Sequence, residues 1–344
     1  MTTKSIDIKR ILITATLLVI VTIAAMAQTD ALLSHAWLGK NYYNPAAAGE
    51  YNAIHLNVGS RMQWVDFRNA PMNFYLTADM PYKLMGHRLG AGIKAEFERI
   101  GLFTNTRIGA QVAYKRKFGK SYLSIGVQPG IYSQTFRGGK TGRTGNNTGT
   151  GGTNMDNNNT DIRPVEPGID PAIPNSNVSG TAFDANVGVY FSHPVFWTGI
   201  AVTHITSPTI QLKATRDSPD YHDFNVTRSY YFAAGGNIPI NNTLFEIQPS
   251  GIFALSGKVW SAQVATMVRY NRMLNIGVGY RYKDAVSAFI GVNLKDAYLG
   301  YCYDYPVSAI SKATFGSHEV FVTYNVKLQN NEKNKNRQKG VRLM

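Results

Sequence analysis

The sequence predicts an all-β protein, a transmembrane antiparallel β-barrel of about 14 strands with long extracellular loops and short periplasmic turns. Three observations carry that prediction: a removable leader, strict two-residue alternation along the rest of the chain, and connection lengths that follow strand parity.

The leader comes first, because a segment removed on export does not belong to the fold. Lys4, Lys9 and Arg10 precede an apolar run from Ile11 to Ala25, and Ala25-Met26-Ala27 supplies small residues for cleavage before Gln28. The run is on the short side of the roughly 18 residues a spanning helix needs, so residues 1–27 read as a signal peptide rather than an anchor. Cys302 is the only cysteine, which excludes a disulfide framework and a lipid-attachment cysteine at the cleavage site. Aromatic residues make up 12% of the chain, yet no later stretch approaches a spanning helix. The formal net charge of +14 has one local excess, from Lys327 to Arg342. An exported protein rarely meets nucleic acid, so anionic lipid head groups or an acidic protein partner fit this charge better.

Past Asn52, apolar and polar or small residues alternate. Leu89, Ala91, Ile93, Ala95 and Phe97 share one face, against Gly90, Gly92, Lys94, Glu96 and Glu98 on the other. Leu274 to Tyr282 and Val286 to Leu294 repeat the pattern, and Trp260 to Tyr270 places an aromatic at each end of its apolar face. A glycine-rich polar face and aromatic ends suit a lumen and an interfacial girdle. Strands are predicted near 53–64, 73–80, 88–98, 104–117, 121–135, 182–191, 195–204, 229–238, 244–255, 259–270, 274–282, 285–294, 297–305 and 316–327. The two longest connections, Arg137 to Thr181 and Ile205 to Arg228, both follow odd-numbered strands, and every connection after an even-numbered strand is short. Outer-membrane barrels show this asymmetry; a soluble sandwich has no reason to. Gly138 to Asn177, crowded with Gly, Asn, Thr and Pro, reads as a mobile external loop, and residues 329–344 as a basic periplasmic tail.

The segment 28–51 precedes the first strand. Asn44-Pro45 and Gly49 favour turns, while Trp37, Tyr42 and Tyr43 supply apolar area. It is expected to act as a plug, or to pack on the periplasmic mouth, with the barrel spanning 52–328.

Chemical motifs are weak. Gly138-Gly139-Lys140-Thr141 lacks the earlier glycine of a phosphate loop, where Gln134 stands. Asp156 to Asp161 alternates oxygen ligands but lacks the glycine and the bidentate glutamate of a calcium loop. The seven histidines show no metal-ligand spacing, and Lys94, Glu96 and Glu98 read as a lumen charge network rather than an acid/base pair. No enzyme, cofactor or metal is therefore expected.

Tyr43-Asn44-Pro45-Ala46-Ala47-Ala48-Gly49, followed by Arg61-Met62-Gln63-Trp64 and Ala70-Pro71, resembles the start of PorP/SprF proteins of the type IX secretion system. Tyr301-Cys302-Tyr303-Asp304-Tyr305 and Gly316-Ser317-His318-Glu319 are similar to that family's closing motifs. The resemblance implies an outer-membrane barrel of about 14 strands in the Gram-negative cell envelope, working in or for a system that exports surface proteins. It implies docking of translocon or motor proteins, or anchoring of a secreted surface protein, with a general porin as the alternative. Tyr43, Asn44, Pro45, Gly49, Gln63 and Trp64 are the candidate partner-binding residues. Expected partners are type IX secretion proteins (periplasmic ring, lipoprotein or peptidoglycan-linked components) or a surface protein, together with outer-membrane lipids. Phe289, Phe321, Tyr298 and Tyr190 are predicted to point inward and fill part of the lumen.

Overall fold

A computed structural model of the protein describes residues 30–67, 69–138, 177–215, 221–241 and 243–328. The leader with its cleavage site, most of the Gly138 to Asn177 loop with both weak ligand motifs, and the basic tail lie outside the described residues. Strands β1 (Ala53–Met62), β2 (Met72–Leu84), β3 (His87–Ile100), β4 (Phe103–Phe118), β5 (Ser121–Arg137), β6 (Asn177–Ser192) and β7 (Phe196–Thr203) come first. A hairpin of β8 (Thr209–Lys213) and β9 (Tyr221–Asn225) leads to β10 (Ser229–Gly236) and the two-residue β11 (Ile238–Pro239). Then follow β12 (Phe245–Ser256), β13 (Val259–Tyr270), β14 (Leu274–Arg281), β15 (Ala285–Leu294), β16 (Ala297–Pro306) and β17 (Ser317–Lys327).

Each of these strands pairs antiparallel with its neighbours. β1 pairs with both β2 and β17, and β10 joins β7 to β12, so the sheet closes as a 14-stranded barrel. β8, β9 and β11 are not part of that ring of 14. Closure leaves no unpaired edge in the ring of 14 strands, the condition for β-structure in lipid. No described helix is long and apolar enough to cross a membrane; the strands cross it. Alternation sorts the two faces as read from the sequence. Ile93 and Phe97 point outward toward lipid, whereas Lys94, Glu96 and Glu98 are buried in the lumen. Phe289, Phe321, Tyr298 and Tyr190 are buried inside.

The connections after β2, β4, β6, β10, β13 and β15 gather at one end with residue 52 and residue 328, and these are the short turns. In one of them Met85 (φ 51) and Gly86 (φ 80) both occupy the left-handed region, as a two-residue hairpin with the sheet's twist requires. The long connections stand at the opposite end. Several strand boundaries differ from the sequence reading, β2 for one running on to Leu84 where an end at 80 was predicted. β5 and β6 run further than predicted, and part of the predicted 205–228 loop is the β8–β9 hairpin, which meets β6 at Ser179 and Lys213. Ile210, Leu212 and Val226 explain the difference: they bury against Tyr132, Phe136 and Val178, so the sheet continues as an apolar flap.

Candidate functional site

Residues 30–52 run through the lumen. Asp30 lies near the long-loop end, beside His204 and Arg107, and Tyr51 lies at the short-turn mouth, where β1 begins. Between them the chain makes one helical turn, Lys40–Tyr43, and a 3-10 turn, Pro45–Ala47. Asn44 starts the second turn by accepting from the Ala46 N–H at 2.9 Å. Its amide also donates to the carbonyls of Val189, at 3.0 Å, and Ile200, at 3.3 Å, on the barrel wall.

The glycine-rich lumen face is the socket for this segment. A Cβ at Gly126 would stand 2.4 Å from the Ala46 nitrogen, one at Gly90 2.0 Å from the Ala48 oxygen, and one at Gly188 2.1 Å from the Asn44 side chain. No other residue admits the plug so close at these positions. Gly49, at φ 69, donates its N–H to Asp79 at 2.6 Å. Tyr43 accepts from the Leu33 N–H at 2.6 Å, and its ring lies 5.1 Å from that of Tyr231.

Two charged clamps hold the segment. In the first, Glu319 accepts from the backbone N–H groups of Ser34, at 3.0 Å, and His35, at 3.2 Å, and also bonds the His35 ring. Arg61 bridges Glu319, at 3.0 Å, and Asp304, at 2.7 Å. Ser34 donates its hydroxyl to Asp304 at 2.6 Å and accepts from Arg281 at 2.9 Å, while His35 stacks on Phe321 at 3.7 Å. In the second clamp, Asp30 meets Arg107 at 3.4 Å and His204 at 3.0 Å, and Tyr231 donates to it at 3.0 Å. Arg107 also binds Glu96 and Glu98, each at 2.8 Å, and Glu96 accepts from Tyr42 at 2.6 Å. Lys94, 3.2 Å from Glu96, sits 3.8 Å over the Tyr42 ring. Buried charges persist only when paired in this way.

Arg61, Asp304 and Glu319 come from three segments at the two ends of the sequence. Antiparallel register places Arg61 opposite Glu319, with β16 alongside. All three stand inside the segments that carry the resemblance noted above, and their convergence gives those segments a shared structural task. The description "Type IX secretion system membrane protein PorP/SprF" matches residues 25–324. The chain belongs to the PorP/SprF family. Among curated proteins none matches it. Similar solved structures include the toluene transporter TbuX of Ralstonia pickettii, at 13% identity and TM-score 0.43, covering 87% of this chain and 94% of that one. A Pseudomonas aeruginosa FadL homologue shows 10% identity and TM-score 0.43, covering 82% and 92%. The beta domain of the Bordetella autotransporter Brka shows 12% identity and TM-score 0.34, covering 79% and 99%. The barrel assignment rests on the strand pairing, not on these likenesses.

In this PorP/SprF protein the six sequence-selected residues divide into two groups. Tyr43, Asn44, Pro45 and Gly49 lie together, enclosed by the wall, so a partner outside the barrel does not touch Tyr43, Asn44 or Pro45 while the plug is in place. Gln63 and Trp64 are at the long-loop end, in the β1–β2 connection, where Gln63 donates its N–H to Pro71 at 2.9 Å and Trp64 to Ser317 at 3.1 Å. The clamp residues Asp30, His35, Arg107, Asp304 and Glu319 were not singled out as site residues. Charged residues on predicted lumen faces were the available signal, but their partners are set by barrel closure. A cavity of about 260 Å³ opens beside Asp30 and His204 at the long-loop end. Another of about 440 Å³ opens at the short-turn mouth, between plug residues Trp37, Lys40 and Glu50 and the wall.

Proposed function

We propose that this outer-membrane component of the type IX secretion system works without chemistry of its own, as a plugged barrel that docks secretion components on its periplasmic side. The observation that carries this reading is the fixed segment 30–50, which occupies the lumen and is clamped near one end by buried ion pairs and pressed into a glycine socket near the other. A segment held this way suits a permanent surface better than a conduit. Long connections belong outside the cell in outer-membrane barrels, so the short-turn mouth faces the periplasm, and plug residues Lys40, Glu50 and Tyr51 line it. Side chains of the kinds used in catalysis are engaged elsewhere: Glu96 and Glu98 bind Arg107, and Cys302 is buried and donates to Asp304 at 3.3 Å.

The test compares the intact protein with a variant lacking residues 28–48, in planar bilayers and in affinity purification from membranes. The intact protein is expected to conduct little and to co-purify with periplasmic type IX components; the deletion is expected to conduct and to lose them. An intact protein that conducts as a steady open channel would refute the docking reading in favour of a general porin.

A further inference from the structure

The short-turn mouth carries features that the plug does not use. Its cavity of about 440 Å³ lies within the roughly 300–1,000 Å³ usual for ligand pockets. Two side-chain amides line it with capacity to spare: the Asn275 amide nitrogen and the Asn325 carbonyl oxygen have no hydrogen-bond partner among the described residues. Asn275 is only 3% exposed, so its unmet donor is confined to the lumen side. An unpaired buried donor costs free energy until an acceptor arrives, and the Asn325 acceptor, three strands along the wall on β17, needs a donor in turn. An extended backbone supplies both, from different peptide units along its length.

The rim adds charge. Lys117 and Lys120 stand on the β4–β5 arc, and Arg269, Arg272 and Lys295 on the β12–β16 arc. The carboxylates of the second arc, Glu246 and Asp296, are engaged, Glu246 by Arg269 and Arg272, and Asp296 by Lys327 at 2.8 Å. Lys295 has no carboxylate partner among the described residues. The rim therefore presents net positive charge around an amide-lined opening on the aqueous axis of the barrel, not on its lipid-facing wall. Such a field attracts carboxylates and orients them on approach.

We propose that this vestibule receives an extended, carboxylate-bearing segment of a partner protein. Its backbone pairs with Asn275 and Asn325, and its acidic side chains meet Lys295 and Arg272. The proposal rests on the docking reading above and names the chemistry of the partner segment. Trp37 and Tyr298 line the same cavity and supply apolar area for the segment's other side chains.

The test uses the full-length detergent-purified protein and fluorescence anisotropy of a dye-labelled ten-residue peptide alternating Glu and Thr, with a Lys-Thr peptide as control. The Glu-Thr peptide is expected to bind, more weakly as salt rises, and the Lys-Thr peptide not to bind. Arg272→Glu with Lys295→Glu reverses two turn residues of the rim, Arg272 being strongly exposed, and far-UV circular dichroism checks that the variant keeps its fold. This variant and Asn275→Leu should each weaken binding at least tenfold, whereas Lys283→Glu at the opposite end should leave it unchanged. Binding that survives both vestibule variants, or equal binding of the two peptides, would overturn the proposal. So would vesicles of phosphatidylglycerol competing the peptide away, because the rim would then read lipid. Absence of peptide binding with type IX components still co-purifying would overturn it too, while leaving the docking reading intact.

Discussion

Replacing Glu319 by glutamine probes the first clamp where its connections are densest. Glu319 is fully buried and accepts from Ser34 N at 3.0 Å, His35 N at 3.2 Å and Arg61 at 3.0 Å, besides the His35 ring. The amide keeps the volume and one acceptor oxygen but loses the charge, leaving the His35 and Arg61 side chains with less compensation. Breaking a buried pair from one side costs about 3–5 kcal/mol. Arg61 keeps Asp304 at 2.7 Å, which argues for the lower end. A loss of about 3 kcal/mol raises the ratio of released to docked plug by roughly a hundredfold. The barrel should survive, because the strand pairing of β16, β17 and β1 is untouched. Hydrogen exchange should show residues 33–36 losing protection, with frequent openings in planar bilayers. Arg61→Met combined with Glu319→Leu should cost clearly less than the sum of the single changes, since it leaves no buried charge unpaired within that couple. Unchanged exchange in the glutamine variant, or strict additivity in the pair, would refute the clamp.

Four further outcomes follow from the geometry. Ile93, on the lipid face and paired with Ala78 and Ala110, should cost about 2–4 kcal/mol as arginine if it lies near the bilayer midplane, read from reversible folding into lipid vesicles. Gly126→Val drives a side chain into the Ala46 backbone, and overpacking of about 1–3 kcal/mol should loosen the plug and raise conductance with the barrel intact. His204, just beyond the end of β7, is opposed in its charge by burial, but Asp30 and Asp184 outweigh this and push its pKa up to about 9. The raised value means its contribution is complete below the ordinary histidine value near 6.5 and is lost as pH rises through about 9. Corrected exchange protection around Asp30 should fall across that window and become pH-independent in His204→Gln. Finally, Phe315→Cys should react with a membrane-impermeant maleimide on intact cells, whereas Met85→Cys should react only after the outer membrane is opened; the reverse would invert the proposed orientation.

The barrel was legible because each strand reports its own two faces: alternation, as in Leu89 to Glu98, is local, and lipid on one side makes it strict. Connection lengths added orientation, and the clustered motifs added the family. The β8–β9 flap was missed because Ile210, Leu212 and Val226 are too few to show a period and become apolar surface worth burying only once β5 and β6 stand beside them. Glycines at 90, 126 and 188 could be read only as a small or wet face, since what they must admit is brought from residues 44–48, plug backbone at 90 and 126 and the Asn44 side chain at 188. The sequence by itself determined the membrane-facing surface, the approximate strand count and the turns at Asn44-Pro45 and Gly49, all of which depend on neighbouring residues. Only the tertiary structure decided that residues 30–52 run inside the lumen, and that Arg61 meets Asp304 and Glu319. Those contacts join residues more than 200 positions apart, for instance Arg61 and Glu319, which lie 258 apart. Closure of the first strand on the last is what brings their charges within reach, in surroundings where an unpaired charge would not be tolerated.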